Sequence, residues 1–219
     1  MNQLMRSTGA QPYVYLADVG VPPVTATEVF AWLNITDPAT IIASSPVMNA
    51  IIAGCTYEAE VLTKRLFYPK QYKTFRDVFG DYGDSPAYAG YPAYTVSNTN
   101  NIQPISIRRT PIVSVQQITY YDTDNVLQTL LPTDYYITQK DAYPLIYPTV
   151  NWAETIVRQQ AIEIIFTAGY TTLPPNLKLA LLEHCANAYM NRGDCGCECK
   201  SAPSSVQGAY RAMMIVDIV

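Results

Sequence analysis

Histidine and charge are both scarce in this chain of 219 residues. It has one histidine, His184, and only 15% of its residues are charged. A single imidazole leaves little material for general acid–base chemistry. The 14 basic residues are outnumbered by 18 acidic ones, which gives a net charge of -4. Proteins that bind nucleic acid or anionic membranes through charge concentrate Lys and Arg, so this balance disfavours both functions.

Long apolar runs and targeting signals are also missing. No window approaches the roughly 18 apolar residues needed to cross a bilayer. The first 16 residues lack the basic-then-apolar layout of a signal peptide. We therefore expect a soluble protein that is made in the cytoplasm and has no membrane partner.

Sequence motifs of enzymes are absent as well. The chain has no Walker loop, no G-x-G-x-x-G and no serine elbow. His184 falls in the middle of a predicted helix, where a packed or surface histidine is the favoured interpretation. The sequence gives no positive case for an enzyme or for a cofactor.

Five cysteines do not form the spaced framework of a secreted disulfide protein, because their number is odd and three are crowded together. Cys195, Cys197 and Cys199, joined by His184 or Cys185, would make a zinc set. Structural zinc sites favour C-x₂₋₄-C spacing, and alternate residues point apart in an extended chain. An exposed turn is therefore favoured over a metal site, and we predict no bound metal.

Tyrosine and proline, in contrast, are abundant, with 18 and 16 copies. Tyrosine supplies amphipathic contact area at a low entropic cost and is enriched at interfaces. The composition is that of a protein with much contact surface and little chemistry.

The clearest helical period lies in residues 45–66. Ser45 is a suitable N-cap and Pro46 suits the first helical position, where a missing N–H costs nothing. Residues 34–44 are predicted to connect this helix to the one before it. One apolar stripe recurs every three or four residues: Met48, Ile51, Ile52, Cys55, Ala59, Leu62 and Leu66.

Two further helices can cover that stripe. Thr25 and Glu28 form a capping box before a short helix over residues 26–33, with Val24 and Val29 spaced as a hydrophobic staple. A third helix is predicted over residues 175–192, with Gly193 as its stop. Its stripe is Leu177, Leu181, Cys185, Ala188 and Tyr189. Together the three helices predict a small bundle.

A β-rich segment separates the second helix from the third. Alternating or compact apolar runs predict strands at residues 72–79, 105–108, 113–115, 118–121, 126–130, 135–138, 145–147 and 161–168. Residues 122–125 have the composition of a hairpin turn. A calcium loop is disfavoured, because the EF-hand pattern fails at Val126. Residues 80–94, rich in Gly, Pro and Tyr, form a long loop that is either functional or disordered. Aromatic side chains favour an interaction.

The predicted fold class is α+β, a small helical bundle with a β-rich insertion and extended termini. Residues 25–68 and 170–193 form the bundle, and residues 69–169 form the insertion. Residues 1–24 form an extended arm, in which residues 13–16 make either a short strand or a clamp on a neighbour. The alternative for the first ten residues is a loosely ordered tail. Residues 194–219 form a tail that either docks on a partner or folds back on its own domain.

Several separated segments together resemble one family, the head-to-tail connector proteins of tailed bacteriophages, also called adaptor or head-completion proteins. The resemblance rests on their order along residues 25–212, since no segment alone is specific. The segments are TATEVFAWLNIT, VLTKRLF, RRTPIVSVQQITYYD, DYYIT, IEIIFTAGYTTLPPNLKLALLEHCANAYMNR and APSSVQGAYR. The N-terminal arm, the tyrosine-rich loop and the cysteine run depart from the family pattern.

The resemblance implies a structural virion protein in the capsid–tail neck, assembled in the bacterial host cytoplasm. Such proteins form a ring, usually of twelve copies, beneath the portal protein. The ring extends the channel through which genomic DNA passes without specific binding, and it carries tail or neck (stopper or terminator) proteins. The alternatives are a metal-binding interaction module using Cys195, Cys197 and Cys199, or a phage hydrolase.

Two sets of residues are candidates for docking. The first is the apolar terminal run, which follows a flexible linker and is predicted to dock on the portal: Tyr210, Arg211, Met213, Met214, Ile215 and Val216. The second is a set of loop tyrosines, predicted to face other subunits or neck proteins: Tyr82, Tyr88, Tyr91 and Tyr94.

Overall fold

The structure is a computed structural model that describes residues 13–79, 102–139, 143–156, 158–192 and 202–215. The chain divides into two compact units. The helical unit comprises Gly20–Pro69 and Gly169–Val216, and the sheet unit comprises Met1–Val19, Lys70–Ala168 and Asp217–Val219. Helices and antiparallel sheets coexist, so the predicted α+β class is confirmed.

The described residues form four helices and eight strands. The helices are α1 Ala26–Trp32, α2 Pro38–Thr63, α3 Pro175–Met190 and α4 Ser204–Ala212. The strands are β1 Val14–Asp18, β2 Lys70–Arg76, β3 Ile105–Ser106, β4 Ile112–Tyr121, β5 Leu127–Thr129, β6 Tyr135–Thr138, β7 Leu145–Pro148 and β8 Ile162–Ala168.

The predicted capping box at the start of α1 is confirmed. The Thr25 backbone N–H donates to the Glu28 carboxylate at 2.8 Å, and the Glu28 N–H donates to the Thr25 hydroxyl at 3.2 Å. Val24 and Val29, on either side of the cap, are both buried in the helical core. The cap therefore fixes where α1 begins, and the two valines fix how the chain enters it.

The predicted start of α2 was wrong. The helix begins at Pro38, with the Asp37 carboxylate accepting from the Thr40 N–H at 2.9 Å. Asp37 and Pro38 repeat the cap-and-proline pattern of Ser45 and Pro46 one segment earlier. The Ser45 hydroxyl instead donates to the Ile41 carbonyl inside the helix, at 2.6 Å. The segment expected to be a connection is therefore two more turns of helix.

The three predicted helices pack around one core. Most of the predicted stripe residues are buried there: Met48, Ile52, Cys55, Ala59, Leu177, Leu181, Cys185 and Tyr189. Ile51 and Ala188 are only partly buried, and Leu62 is 39% exposed. The fully buried Thr63 replaces Leu62 on the inner face at the end of α2.

The sheet unit contains two antiparallel sheets. The larger has the order β1-β2-β8-β4-β5 and the smaller the order β3-β7-β6. Ile162, Ile164 and Phe166 on the central β8 are fully buried, as the alternation predicted. Residues 113–115 and 118–121 were predicted as separate strands, but both belong to β4. Register shifts beside Ser114 and Gln117 interrupt the period of β4 without ending the strand.

The turn and the N-terminal strand follow the sequence interpretation. Asp122 closes the β4–β5 hairpin, with its carboxylate accepting from the Val126 N–H at 2.8 Å. Asn125 adopts a left-handed φ of 62°, which suits asparagine. Of the two alternatives for residues 13–16, the strand is realised, because β1 pairs with β2.

Candidate interaction surfaces

The C-terminal run is folded onto the helical unit as far as it is described. Tyr210, in the helical core, is 1% exposed, and Ile215, beside the end of α2, is 3% exposed. The Ile215 N–H donates to the Thr63 carbonyl at 3.2 Å, and Arg65 donates to the Met213 carbonyl at 2.8 Å. The expectation of a docking tail detached from the body is therefore wrong for residues 202–215.

This correction has a plain physical reason. Apolar side chains of the C-terminal run are buried against the subunit's own helical bundle. The Tyr210 and Phe67 rings pack edge to face there, with their centroids 6.1 Å apart. Of the five predicted docking residues that the structure describes, two remain open to solvent, Arg211 as an exposed side chain and Met214 at 39% exposure. Met213 is half-buried.

Three other predictions lie outside the described residues: Val216, the loop tyrosines Tyr82, Tyr88, Tyr91 and Tyr94, and the cysteines Cys195, Cys197 and Cys199. Their docking and metal-binding functions stay predictions. Within the ranges that are described, no group of three or more His, Cys, Asp or Glu side chains could hold a metal ion.

The lone histidine lies in a buried polar cluster between α2, α3 and α4. His184 is 5% exposed. Its Nε2 lies 3.4 Å from the Glu58 carboxylate, and its Nδ1 lies 3.4 Å from the Tyr210 hydroxyl. Cys55 on α2 and Cys185 on α3 are free, buried thiols in the same cluster. The sequence analysis did not predict this grouping, because its members are far apart in sequence.

The thiols in this cluster differ in acidity. A hydrogen bond with Cys185, aided by His184 and opposed by burial, lowers the pKa of Cys55 to about 6. The same hydrogen bond, together with burial, raises the pKa of Cys185. Burial opposes protonation of His184, but Cys55 and Glu58 outweigh it and raise the pKa of the imidazole. Cys55 is thus the thiol that ionises first.

A cysteine beside a histidine resembles the nucleophile and base of a hydrolase, but this pair is sealed. Cys55 is 6% exposed and Cys185 is fully buried, so no substrate-sized group reaches either sulfur. A pocket elsewhere, in the sheet unit, is lined by nine residues, including Tyr121, Arg158 and Glu163, and none of the nine is Cys, Ser or His. Neither place combines a nucleophile with room for a substrate.

The outer face of α2 carries an apolar stripe that the sequence analysis did not predict. Its members follow each other at alternating steps of four and three residues: Ala43, Val47, Ala50, Gly54, Tyr57 and Val61. We call this set the α2 seam. Its large members are well exposed, with Val47 at 48%, Tyr57 at 70% and Val61 at 57%. A spacing of 3.5 residues is typical of a helix surface that packs lengthwise on another helix.

Charge is missing from this face. Within α2, which is described throughout, no exposed residue is charged, and Glu58 and Glu60 are partly buried. By length and composition α2 could cross a bilayer, at a mean hydropathy of 1.4. We expected no window of the chain to approach the roughly 18 apolar residues that cross a bilayer. That expectation was wrong, because the earlier start of α2 adds Ile41 and Ile42 to the apolar run. Its inner face belongs to the helical core.

Gly54 lies in the middle of this seam. A Cβ placed there would meet no atom within 4 Å, so packing inside the subunit does not require glycine. Glycine inside a helix destabilises it by about 1 kcal/mol relative to alanine. This cost and the small neighbours Ala43 and Ala50 are consistent with close approach by another helix.

No protein-family model and no curated protein matches the sequence. Solved structures do match. A chain in the neck of an empty gene transfer agent particle, computed with C6 symmetry, has a TM-score of 0.68 at 16% identity, covering 95% of this chain and 97% of that one. The fold is that of a neck chain. The resemblance inferred from the sequence is confirmed at this level.

Two further structures agree. A chain in the neck of the native particle, computed with C12 symmetry, has a TM-score of 0.57 at 17% identity and covers 96% of this chain and 98% of that one. A chain in the virion of the native particle has a TM-score of 0.59 at 16% identity, covering 92% and 96%. Both units of the present chain therefore belong to the shared fold.

Proposed function

We propose that this chain is a structural virion protein, a head-to-tail connector that forms a ring beneath the portal. The observation that carries the proposal is the likeness to neck chains over nearly the whole length of both proteins, 95% of this chain and 97% of the other. The segment order noted in the sequence supports the same family independently.

The symmetry of the similar necks and the α2 seam both support the proposed ring. Those necks were computed with C6 and C12 symmetry, in which every copy meets two neighbours. The seam runs along a helix of 26 residues, about 39 Å in length. We assign the seam to the contact between neighbouring copies, since a neighbour would remove Tyr57 and Val61 from water.

The other partners are proposed from the resemblance. The portal lies above the ring, tail or neck proteins bind below it, and genomic DNA passes through the bore. Arg211 and Met214 are the described residues of the terminal run that remain open to a partner. Residues 80–94 are the proposed contact with other subunits or neck proteins. A non-catalytic function fits the sealed Cys55–His184 cluster.

The test is the oligomeric state of the purified chain, alone and with portal protein, by mass photometry and electron microscopy. We expect closed rings, free or on the portal. A chain that stays monomeric under both conditions contradicts the proposal. A lipid bilayer is the other occupant that an apolar helix face could have, and flotation with lipid vesicles tests for it. Co-flotation of the wild-type chain would assign the α2 seam to a bilayer instead of to a neighbouring copy.

A matched pair of variants tests the seam. Ala50→Glu places a charge in the centre of the α2 seam, and Asn49→Glu places the same charge on the neighbouring exposed position outside it. Because a buried unpaired carboxylate costs several kcal/mol, we expect Ala50→Glu to lose the ring and Asn49→Glu to keep it. Both should melt like the wild-type monomer. If Ala50→Glu still forms intact rings, α2 is not part of the interface between copies.

A further inference from the structure

We propose that Cys55 and Cys185 are an oxidant-reactive pair that forms a disulfide joining α2 to α3 when the protein meets a peroxide. The inference concerns the buried polar cluster and is independent of the ring. It assigns a covalent modification to two residues of the helical core.

The first step is geometric. Cys55 and Cys185 belong to helices that pack against each other in one core, and their side chains are hydrogen-bonded. The contact of His184 with Glu58, at 3.4 Å, joins the same two helices beside the thiols. Both cysteines are free in the structure. The hydrogen bond brings the two sulfur atoms close together, as a disulfide between the two helices requires.

The second step is the difference between the two thiols. Thiolate is the form that attacks an oxidant, and the pKa of Cys55 is lowered to about 6. The groups that face the pair are His184 on α3, Glu58 on α2 and Tyr210 on α4. His184 favours the thiolate, whereas Glu58 disfavours it. Cys55 is therefore the attacking sulfur and Cys185, whose pKa is raised, is the resolving one.

The third step is access. Cys55 keeps 6% of its surface exposed, whereas Cys185 has none. Only an oxidant close to water in size, such as hydrogen peroxide, fits so small an opening. This selects a small peroxide as the oxidant and Cys55 as the thiol that it meets.

The reaction balances as two thiols and one hydrogen peroxide giving one disulfide and two waters. The Cys55 thiolate attacks a peroxide oxygen, the O–O bond breaks, and the leaving hydroxide takes a proton to become water. Cys185 then attacks the sulfur of the Cys55 sulfenic acid. An S–S bond forms, the S–O bond breaks, and the oxygen leaves as water with the proton of Cys185. The thiols are oxidised and the peroxide is reduced.

The product would link two segments across a closed loop of about 130 residues. A crosslink of that length restricts the unfolded chain strongly, so the oxidised protein should resist unfolding more than the reduced one. The bond would stay open in a reducing cytoplasm and close once the protein meets peroxide. The disulfide would then crosslink α2 to α3 after the helical unit has folded.

The experiment uses the full-length chain with Cys195, Cys197 and Cys199 replaced by serine, so that the pair is the only source of thiols. After hydrogen peroxide and quenching, thiols are counted under denaturing conditions and the intact mass is recorded. We expect both thiols to disappear, the mass to fall by two hydrogen atoms, and digestion to give one peptide linked through Cys55 and Cys185. Dithiothreitol should restore both thiols, and the melting temperature should be higher in the oxidised form.

The controls separate reactivity from structure. Cys185→Ser in the same background should stop at a sulfenic acid on Cys55, trapped by dimedone. The oxidation rate of the pair should fall as the pH drops through about 6, well below the range of an ordinary thiol at about 8.5. His184→Gln should move that midpoint upward. Two titratable thiols after peroxide, or a midpoint near 8.5 in the wild-type pair, would overturn the proposal.

Discussion

Single residues decide how α1 is held in the helical unit. The Glu28 carboxylate caps the helix and also accepts from the Lys178 ammonium on α3 at 2.6 Å. The hydrogen bond from Lys178 lowers the pKa of Glu28, burial opposes it, and the bonds from Thr25 add to the lowering. One side chain thus joins the start of α1 to α3.

The lowered pKa of Glu28 predicts a pH dependence. A carboxylate with a lower pKa in the folded state stabilises the protein above its unfolded value of about 4.3, and that contribution is lost as the pH falls through the folded pKa. Glu28→Gln should therefore melt below the wild type at pH 7, and the difference should shrink as the pH falls through the lowered pKa of Glu28. Thermal melts from pH 7 to pH 3 measure it.

High salt provides the control for this prediction. Both side chains are more than a third exposed, so the ion pair is screened and 1 M salt should reduce the difference. A difference between wild type and Glu28→Gln that persists unchanged at acid pH would mean that the pair with Lys178 contributes nothing.

At the scale of elements, α4 changes the interpretation of the C-terminal region. Its sequence reads as an apolar run after a linker, which fits both a docking tail and a helix folded back on the bundle. The structure has the second arrangement, with Val206 and Tyr210 both 1% exposed. Removing α4 would therefore expose core, not free a tail.

A neighbouring pair of variants in α4 tests this arrangement. Tyr210→Ala removes a buried ring that contacts Phe67 and His184, and we expect a loss of about 3 kcal/mol in the free energy of unfolding. Arg211→Ala, one residue along on the exposed side, should change it by less than about 0.5 kcal/mol. Urea unfolding followed by circular dichroism measures both. Equal, small effects of the two substitutions on the free energy of unfolding would mean that residues 204–215 form a tail and do not belong to the core.

At the scale of the whole molecule, charge and surface point to assembly. The chain carries a net charge of -4, and the outer face of α2 carries none. In the proposed function DNA passes through the ring, and tight phosphate contacts would stall its transit. An acidic protein suits such a bore.

We therefore predict that the assembled ring binds duplex DNA only weakly. Fluorescence anisotropy with a labelled duplex near physiological salt should give no saturable binding at micromolar protein. A basic DNA-binding protein of similar size serves as the positive control. Saturable micromolar binding that weakens with salt would contradict a passive channel.

The sequence by itself determined the α+β class, the capping box of α1, the inner face of α3 and most strands. These depend on local chemistry, such as a Thr–Glu pair at the right spacing or an alternation that holds along β8. The start of α2 was missed because Asp37-Pro38 and Ser45-Pro46 are equally good local signals. Only the continuous helix that packs on the core distinguishes them.

Only the tertiary structure decided which surfaces meet. A helical period shows that residues share a face, but whether that face lies inside depends on what packs against it. Thus α4 covers the bundle, while the seam from Ala43 to Val61 is left outside. Cys55, Glu58, His184, Cys185 and Tyr210 come together from three helices. No spacing along the chain encodes that meeting, because it is the packing of the bundle that creates it.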